Sequence, residues 1–349
     1  MEMNRKNGRR FKKRKARKRA MITGIIIVAL LASGVGIYAY AHHQSSDNEA
    51  VTEESSKQKS GASTNNVAEE APKPTDIMKD QNIINSANSY AVPANDVLKM
   101  MKSKKPINNE KEVFLTFDDG PSENTSNILK ILKEENVHAT FFVLGSQLKN
   151  NPENQKLLKD EIDSGNAIAN HTFSHDYHKL YPGNSVNVKV FMNEINENNE
   201  QMKNILGPNF NARVLRMPGG YMSRVYYHDP HLKQLNEALR KEGIMSIDWD
   251  AETGDAESNT YSVDHLVSRA RFYMEREDHI VLLMHDAAAK KSTVKALPQI
   301  IKMFKDKGYK FKVIKNAPMS YFEQSNNNTE NSNKTSNNNQ TGNSTSSNK

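Results

Sequence analysis

Apolar positions between residues 110 and 316 alternate between two patterns. Short continuous apolar runs fall at 113–117, 139–144, 167–169, 213–217, 244–247, 280–284 and 309–314. Uninterrupted runs of this length read as strands buried on both faces. Most are separated by stretches in which apolar residues recur at helical spacing, at 127–135, 154–164, 191–206, 231–241, 263–275 and 294–307. Glycines 165, 207, 243 and 308 follow four of these stretches, where a helix C-terminus favours glycine. Seven strands alternating with helices predict an α/β fold with a parallel sheet and helices outside it. About 200 residues suit one barrel slightly smaller than the eight-stranded form.

The two ends have a different character. Residues 21–41 are apolar and uncharged, long enough to cross a bilayer as a helix. Residues 1–20 before them hold eleven Lys or Arg and one acid, Glu2. This order predicts a basic cytoplasmic head (1–20) and a transmembrane signal anchor (21–41). Residues 42 onward then lie outside the cytoplasmic membrane, or are secreted if the chain is cut after Ala41, in the small-residue triplet Ala39-Tyr40-Ala41. Residues 42–109 read as an extracytoplasmic spacer, with a weak helical patch near 97–101, and residues 324–349 as a low-complexity tail. The head alone carries +10, so residues 21–349 sum to −3 against a whole-chain charge of +7. The high pI therefore belongs to the head, and the bulk of the chain gives no reason to expect nucleic acid as a partner. Without cysteine there is no disulfide framework.

The expected strand ends gather polar residues. Asp118 and Asp119 follow the first strand, His171 and His175 the third, Arg216 and Pro218 the fourth, and Trp249 and Asp255 the fifth; His285 ends the sixth. In parallel α/β barrels chemistry collects at this rim. A lone Asp or His at a strand end is ordinarily a cap or turn residue, but five ends together are hard to explain that way. The His171-x-x-x-His175 spacing places both imidazoles on one side of a helical turn. With a carboxylate from elsewhere they form a two-His, one-carboxylate site with open positions. The Asp118–Asp119 doublet then has a use, one acid binding metal while the other stays free as a base. The other histidines have no such partners, and the methionines at helical spacing read as core filler. Neither a glycine-rich phosphate loop nor a serine nucleophile elbow occurs.

The segments TFDDGP, HTFSH, RMPGG, Trp249…Asp255 and LLMH occur in the order and approximate spacing of the five motifs of polysaccharide deacetylases. The region 110–316 thus resembles that family, the NodB-homology group or carbohydrate esterase family 4. The layout of the chain is similar to that of membrane-anchored peptidoglycan N-acetylglucosamine deacetylases. The resemblance implies a distorted (β/α)7 barrel and a metal-dependent hydrolase acting on linear amide bonds. It implies Asp118 as general base, and Asp119, His171 and His175 as ligands of one divalent metal, zinc or alternatively cobalt, nickel or iron. It further implies Arg216 holding Asp118, His285 as general acid oriented by Asp255, and Trp249 and Leu283 walling the acetyl pocket. Many relatives have a bulky residue three positions after the arginine; here Gly219 stands there, where the backbone N–H is expected to serve the oxyanion. The implied substrate is N-acetylglucosamine in peptidoglycan. Exported poly-N-acetylglucosamine, chitooligosaccharide or an O-acetylated polysaccharide remain alternatives. The expected partners are cell-wall glycan and, through the N-terminal helix, the membrane; no obligate protein partner is evident.

Overall fold

A computed structural model of the chain describes residues 71–103 and 110–323. The expected head, anchor and tail lie outside the described residues. Among the described residues no helix is long and apolar enough to cross a membrane.

The strands are β1 (Ala91–Pro93), β2 (Glu112–Asp118), β3 (Thr140–Val143), β4 (Ala167–Asn170), β5 (Val214–Leu215), β6 (Met245–Ser246), β7 (Ala251–Glu252), β8 (His279–His285), β9 (Lys310–Phe311) and β10 (Val313–Lys315). Seven run parallel in the order β6-β5-β4-β3-β2-β8-β7. No pairing joins β6 to β7 among the described residues, so the sheet is an open half-barrel that fits a distorted (β/α)7 barrel. The expected strand at 309–314 is split in two: β9 joins the sheet beside the start of β2, off the main order, and β10 turns away to pair with β1. The seventh strand of the sheet is β7, two residues within a polar stretch that shows no apolar run.

Period-two alternation decides what enters the barrel. Val113, Leu115 and Phe117 point outward into a core shared with the helices Glu123–Glu134 and Lys291–Asp306. Phe114 points inward with Phe142, Ala169, Val214, Ile247 and Val281. Continued toward the strand ends, the inward series reaches Thr116 and Asp118 on β2, Arg216 just past β5, and Leu283 and His285 on β8. The side chains of the expected site are thus the last inward-facing positions of buried strands.

Residues 71–103, assigned above to the spacer, belong to the folded unit. Ile83, Ile84 and Ala87 are buried in the outer core, and Ala94, Val97 and Met100 of the helix Ala94–Ser103 close the inner one. Asn82 donates to the Ile314 carbonyl and accepts from Asn316 N–H, and Arg213 pairs with Asp80 at 2.7 Å. The folded unit also runs past 316, with Ala317 and Phe322 buried. Apolar residues in 71–103 are as frequent as in the chain at large but follow no sustained period, and what buries them is the barrel.

Candidate active site

The segment after β2 is fixed from several sides. Ser122 caps the helix Glu123–Glu134 in a capping box with Thr125. Ser122 Oγ and Thr125 Oγ1 also donate to Asp286, whose N–H donates to the Asp118 carbonyl. A Cβ on Gly120 would fall 1.9 Å from the Asp286 carboxylate, so the doublet can approach β8 only with glycine there. Asp119 (φ 77), Thr172 (φ 69) and His175 (φ 56) all adopt left-handed backbone. Such conformations cost on the order of 1–3 kcal/mol for bulky or branched residues and cluster at functional sites.

β2 and β8 pair in a register that sets Asp118 directly beside His285. Asp118 Oδ1 accepts from Arg216 Nη1 at 2.8 Å. Arg216 is fully buried, and its remaining donors reach Thr116 Oγ1, the Ile247 carbonyl and the Asp248 carbonyl. Its guanidinium lies 4.0 Å from the centre of the Phe142 ring. A guanidinium bonded on every edge is a rigid anchor, and it leaves Asp118 Oδ2 free.

His171 Nδ1 donates to the Arg216 carbonyl at 2.8 Å, which turns Nε2 toward the acids. Nε2 lies 3.5 Å from Asp119 Oδ1 and 3.8 Å from Asp118 Oδ2; His175 Nε2 lies 3.7 Å from Asp119 Oδ1. One ligand atom from each of Asp119, His171 and His175 falls within 4.8 Å of the others, and no second such cluster occurs among the described residues. Asp119 Oδ1 is buried with no hydrogen-bond partner. Burial pushes the Asp119 carboxyl up, but the imidazoles of His175, His285 and His171 outweigh it and hold it below its usual range. Burial pulls His171 down. An ionised carboxylate, a neutral imidazole and an orphaned oxygen fit a small divalent cation. The expected helical turn carrying the two histidines is not formed. They sit on an irregular loop, and left-handed backbone at Thr172 and His175 brings them together instead.

His285 Nδ1 donates to Asp255 Oδ1 at 2.9 Å, and Asp255 Oδ2 accepts from His285 N–H and Thr293 Oγ1. Burial lowers the His285 pKa, but the charge and hydrogen bond of Asp255, with smaller help from Asp119 and Asp118, raise it to about 9. His285 is therefore an imidazolium at neutral pH, with Nε2–H left for the cleft. If it is the proton donor, turnover holds below its pKa and falls as pH rises through it. A cation on Asp119 cancels that carboxylate's share, so the alkaline limb is expected at or below about pH 9. In Asp255→Asn the limb should move down toward the ordinary imidazole value of about 6.5. A kcat–pH profile checks this, and an unmoved limb would remove Asp255 from the role.

These groups line a cleft of about 410 Å³ with Trp249, Leu283, Gly219, Met217, Tyr177, Glu252, Glu257 and Lys290. Asp118, Asp119, His171, His175, Gly219, Trp249, Leu283 and His285 meet there as the sequence predicts, while Arg216 and Asp255 stand behind the wall. Tyr177, Glu252, Glu257 and Lys290 were not singled out. Nor was Asp248, whose carboxylate accepts from Tyr221 N–H and Met222 N–H and fixes the loop after Gly219. A larger cleft of about 510 Å³, lined by Tyr90, His138 and Asp163 among others, opens where the strands begin. It has no comparable carboxylate–imidazole cluster.

Comparison with known proteins agrees with this geometry. Residues 105–238 match the polysaccharide deacetylase family model. A carbohydrate esterase family 4 (CE4) esterase of Streptococcus mutans of solved structure is 35% identical, with a TM-score of 0.62 over 69% of this chain and 99% of that one. A peptidoglycan N-acetylglucosamine deacetylase of Bacillus cereus is 29% identical over 67% of this chain and 80% of its own length. A peptidoglycan N-acetylmuramic acid deacetylase of Bacillus subtilis is 30% identical over 67% of this chain; the match spans 45% of that protein. With its half-barrel and its rim of acids and imidazoles, this chain belongs to the polysaccharide deacetylase family, hydrolases that act on amide bonds.

Proposed function

We propose that this chain is a metal-dependent N-deacetylase that removes acetyl groups from N-acetylglucosamine in peptidoglycan and releases acetate. The observation that carries this is the register pairing of Asp118 with His285 on adjacent strands at the cleft, beside the Asp119–His171–His175 cluster. Asp119, His171 and His175 would hold one divalent metal; zinc suits the donor set, and cobalt, nickel or iron suit it as well. When bound, such an ion supplies Lewis acidity toward an acyl oxygen and toward water.

The remaining work falls to side chains and backbone of this chain. Asp118 Oδ2, free because Arg216 holds Oδ1, accepts a proton from the attacking water. The water oxygen bonds to the acyl carbon, and the Gly219 N–H faces the oxygen that becomes negative. His285 Nε2–H gives its proton to the nitrogen as the C–N bond breaks, so the amine leaves neutral. Asp255 keeps that imidazole charged and oriented. Trp249 and Leu283 provide the apolar wall for the methyl group. The products are acetate and a glucosamine unit.

The choice of peptidoglycan rests on the family relatives and on the ends of the chain. The basic head and apolar run at 1–41 support a site outside the cytoplasmic membrane. A random-coil stretch of 29 residues, the length of 42–70, would reach about 30 Å root-mean-square. That reach suits a polymer held close to the membrane. The test is acetate release by the full-length chain on peptidoglycan, chitooligosaccharide and acetylated xylan side by side. Peptidoglycan should be turned over best; release from xylan alone would make the protein an O-acetyl esterase and overturn the proposal.

A further inference from the structure

Gly219 and Tyr177 occupy one place in the cleft. Gly219 has φ +73, and a Cβ added to it would fall 1.9 Å from Tyr177 Oη. A side chain at position 219 and the phenol of Tyr177 therefore exclude each other, and this chain has the phenol. Tyr177 opens the short helix Tyr177–Leu180, whose first N–H groups are capped by the Asp176 carboxylate. Its ring is clamped, 5.6 Å from the His175 ring on one side and 5.3 Å from the Tyr181 ring on the other. Tyr181 is itself tied down, its hydroxyl donating to the Pro218 carbonyl at 3.1 Å. The Tyr177 hydroxyl has no such partner among the described residues. It is held rigidly between Gly219 and His175, against a cleft lined by Asp119, Met217 and Gly219.

We infer that the Tyr177 hydroxyl is a second hydrogen-bond donor to the acyl oxygen of the scissile acetamide, paired with the Gly219 N–H, and that glycine at 219 is the condition for it. This rests on the deacetylase reading above. A preorganised donor beside the oxygen that gains charge strengthens its bond as the reaction proceeds, so it acts on kcat more than on KM. The phenol keeps its proton throughout; it polarises and releases nothing. A hydroxyl on a two-torsion aromatic stem loses little freedom when it makes this bond, unlike a donor on a long flexible chain.

Tyr177→Phe removes the one oxygen and keeps the ring between His175 and Tyr181. Full-length wild type and variant are compared on chitooligosaccharide and on peptidoglycan, with metal content and melting temperature measured on the same samples. The expected result is a kcat lower by about 10²-fold, KM within about threefold, and unchanged metal content and melting temperature. An unchanged kcat overturns the inference. A rise in KM at unchanged kcat also overturns it and moves the phenol to ground-state sugar binding. Loss of metal overturns it too, because the phenol would then be supporting His175. If wild type releases no acetate from any substrate, the deacetylase reading itself fails, which is a separate outcome from an active wild type matched by an active Tyr177→Phe.

Discussion

His171→Ala is expected to lose bound metal and deacetylase activity together while the barrel stays folded. His171 is buried, and its two ring nitrogens do two jobs: Nδ1 ties the loop to the Arg216 carbonyl, and Nε2 faces Asp119. Removing it leaves Asp119 and His175 as two of three ligands. Lewis-acid stabilisation is worth several kcal/mol, so activity should fall at least about 10³-fold. Metal analysis of purified protein together with acetate release checks this. His178→Ala, at an exposed position outside the cleft, is the matching control and should retain both. A full metal complement in His171→Ala would contradict the ligand assignment.

Asp118→Asn should separate metal binding from turnover. The carboxamide oxygen that replaces Asp118 Oδ1 can still accept from Arg216 Nη1, so the buried guanidinium keeps its partner and the fold its anchor. The free atom becomes an amide nitrogen, which accepts no proton. Turnover should drop by about 10²–10⁴-fold with the metal retained, the size expected for a lost general base. Activity within a few-fold of wild type would move the base elsewhere. Asp118 pairs with His285 in register and keeps one oxygen free, whereas Asp255 is engaged by His285 Nδ1 and N–H, so such a result would unsettle the whole assignment of roles.

Most of this site is legible in sequence because it lies on strands. Asp118, Arg216, Leu283 and His285 end or follow buried runs, and alternation along those runs fixes which way they face. What sequence conceals depends on approach in three dimensions. Tyr177 reads as an ordinary residue after a histidine motif, and only the fold brings its hydroxyl against a glycine 42 positions later. The double glycine at 219–220 was the available signal, since a missing side chain close after a buried anchoring arginine calls for something else to fill its place. β7 is too short to leave a periodic trace, and the His171–His175 loop owes its shape to left-handed backbone that helical spacing does not suggest. The segment 71–103 is hidden by its irregular spacing: its apolar residues keep no strand or helix period for long and acquire a core only from strands encoded after them. Asn166 is explained by structure alone. Its amide accepts from Ala139 N–H and donates to the Glu161 carbonyl, tying the starts of β3 and β4 far from the cleft.

The most direct measurement is on the polymer itself. Intact peptidoglycan treated with the metal-replete full-length chain is digested to muropeptides, and mass spectrometry locates each free amine. The account predicts acetyl groups lost from glucosamine residues, with matching acetate released, and none lost with Asp118→Asn. Free amines confined to muramic acid, or a fully acetylated glycan beside an active wild type on xylan, would contradict it.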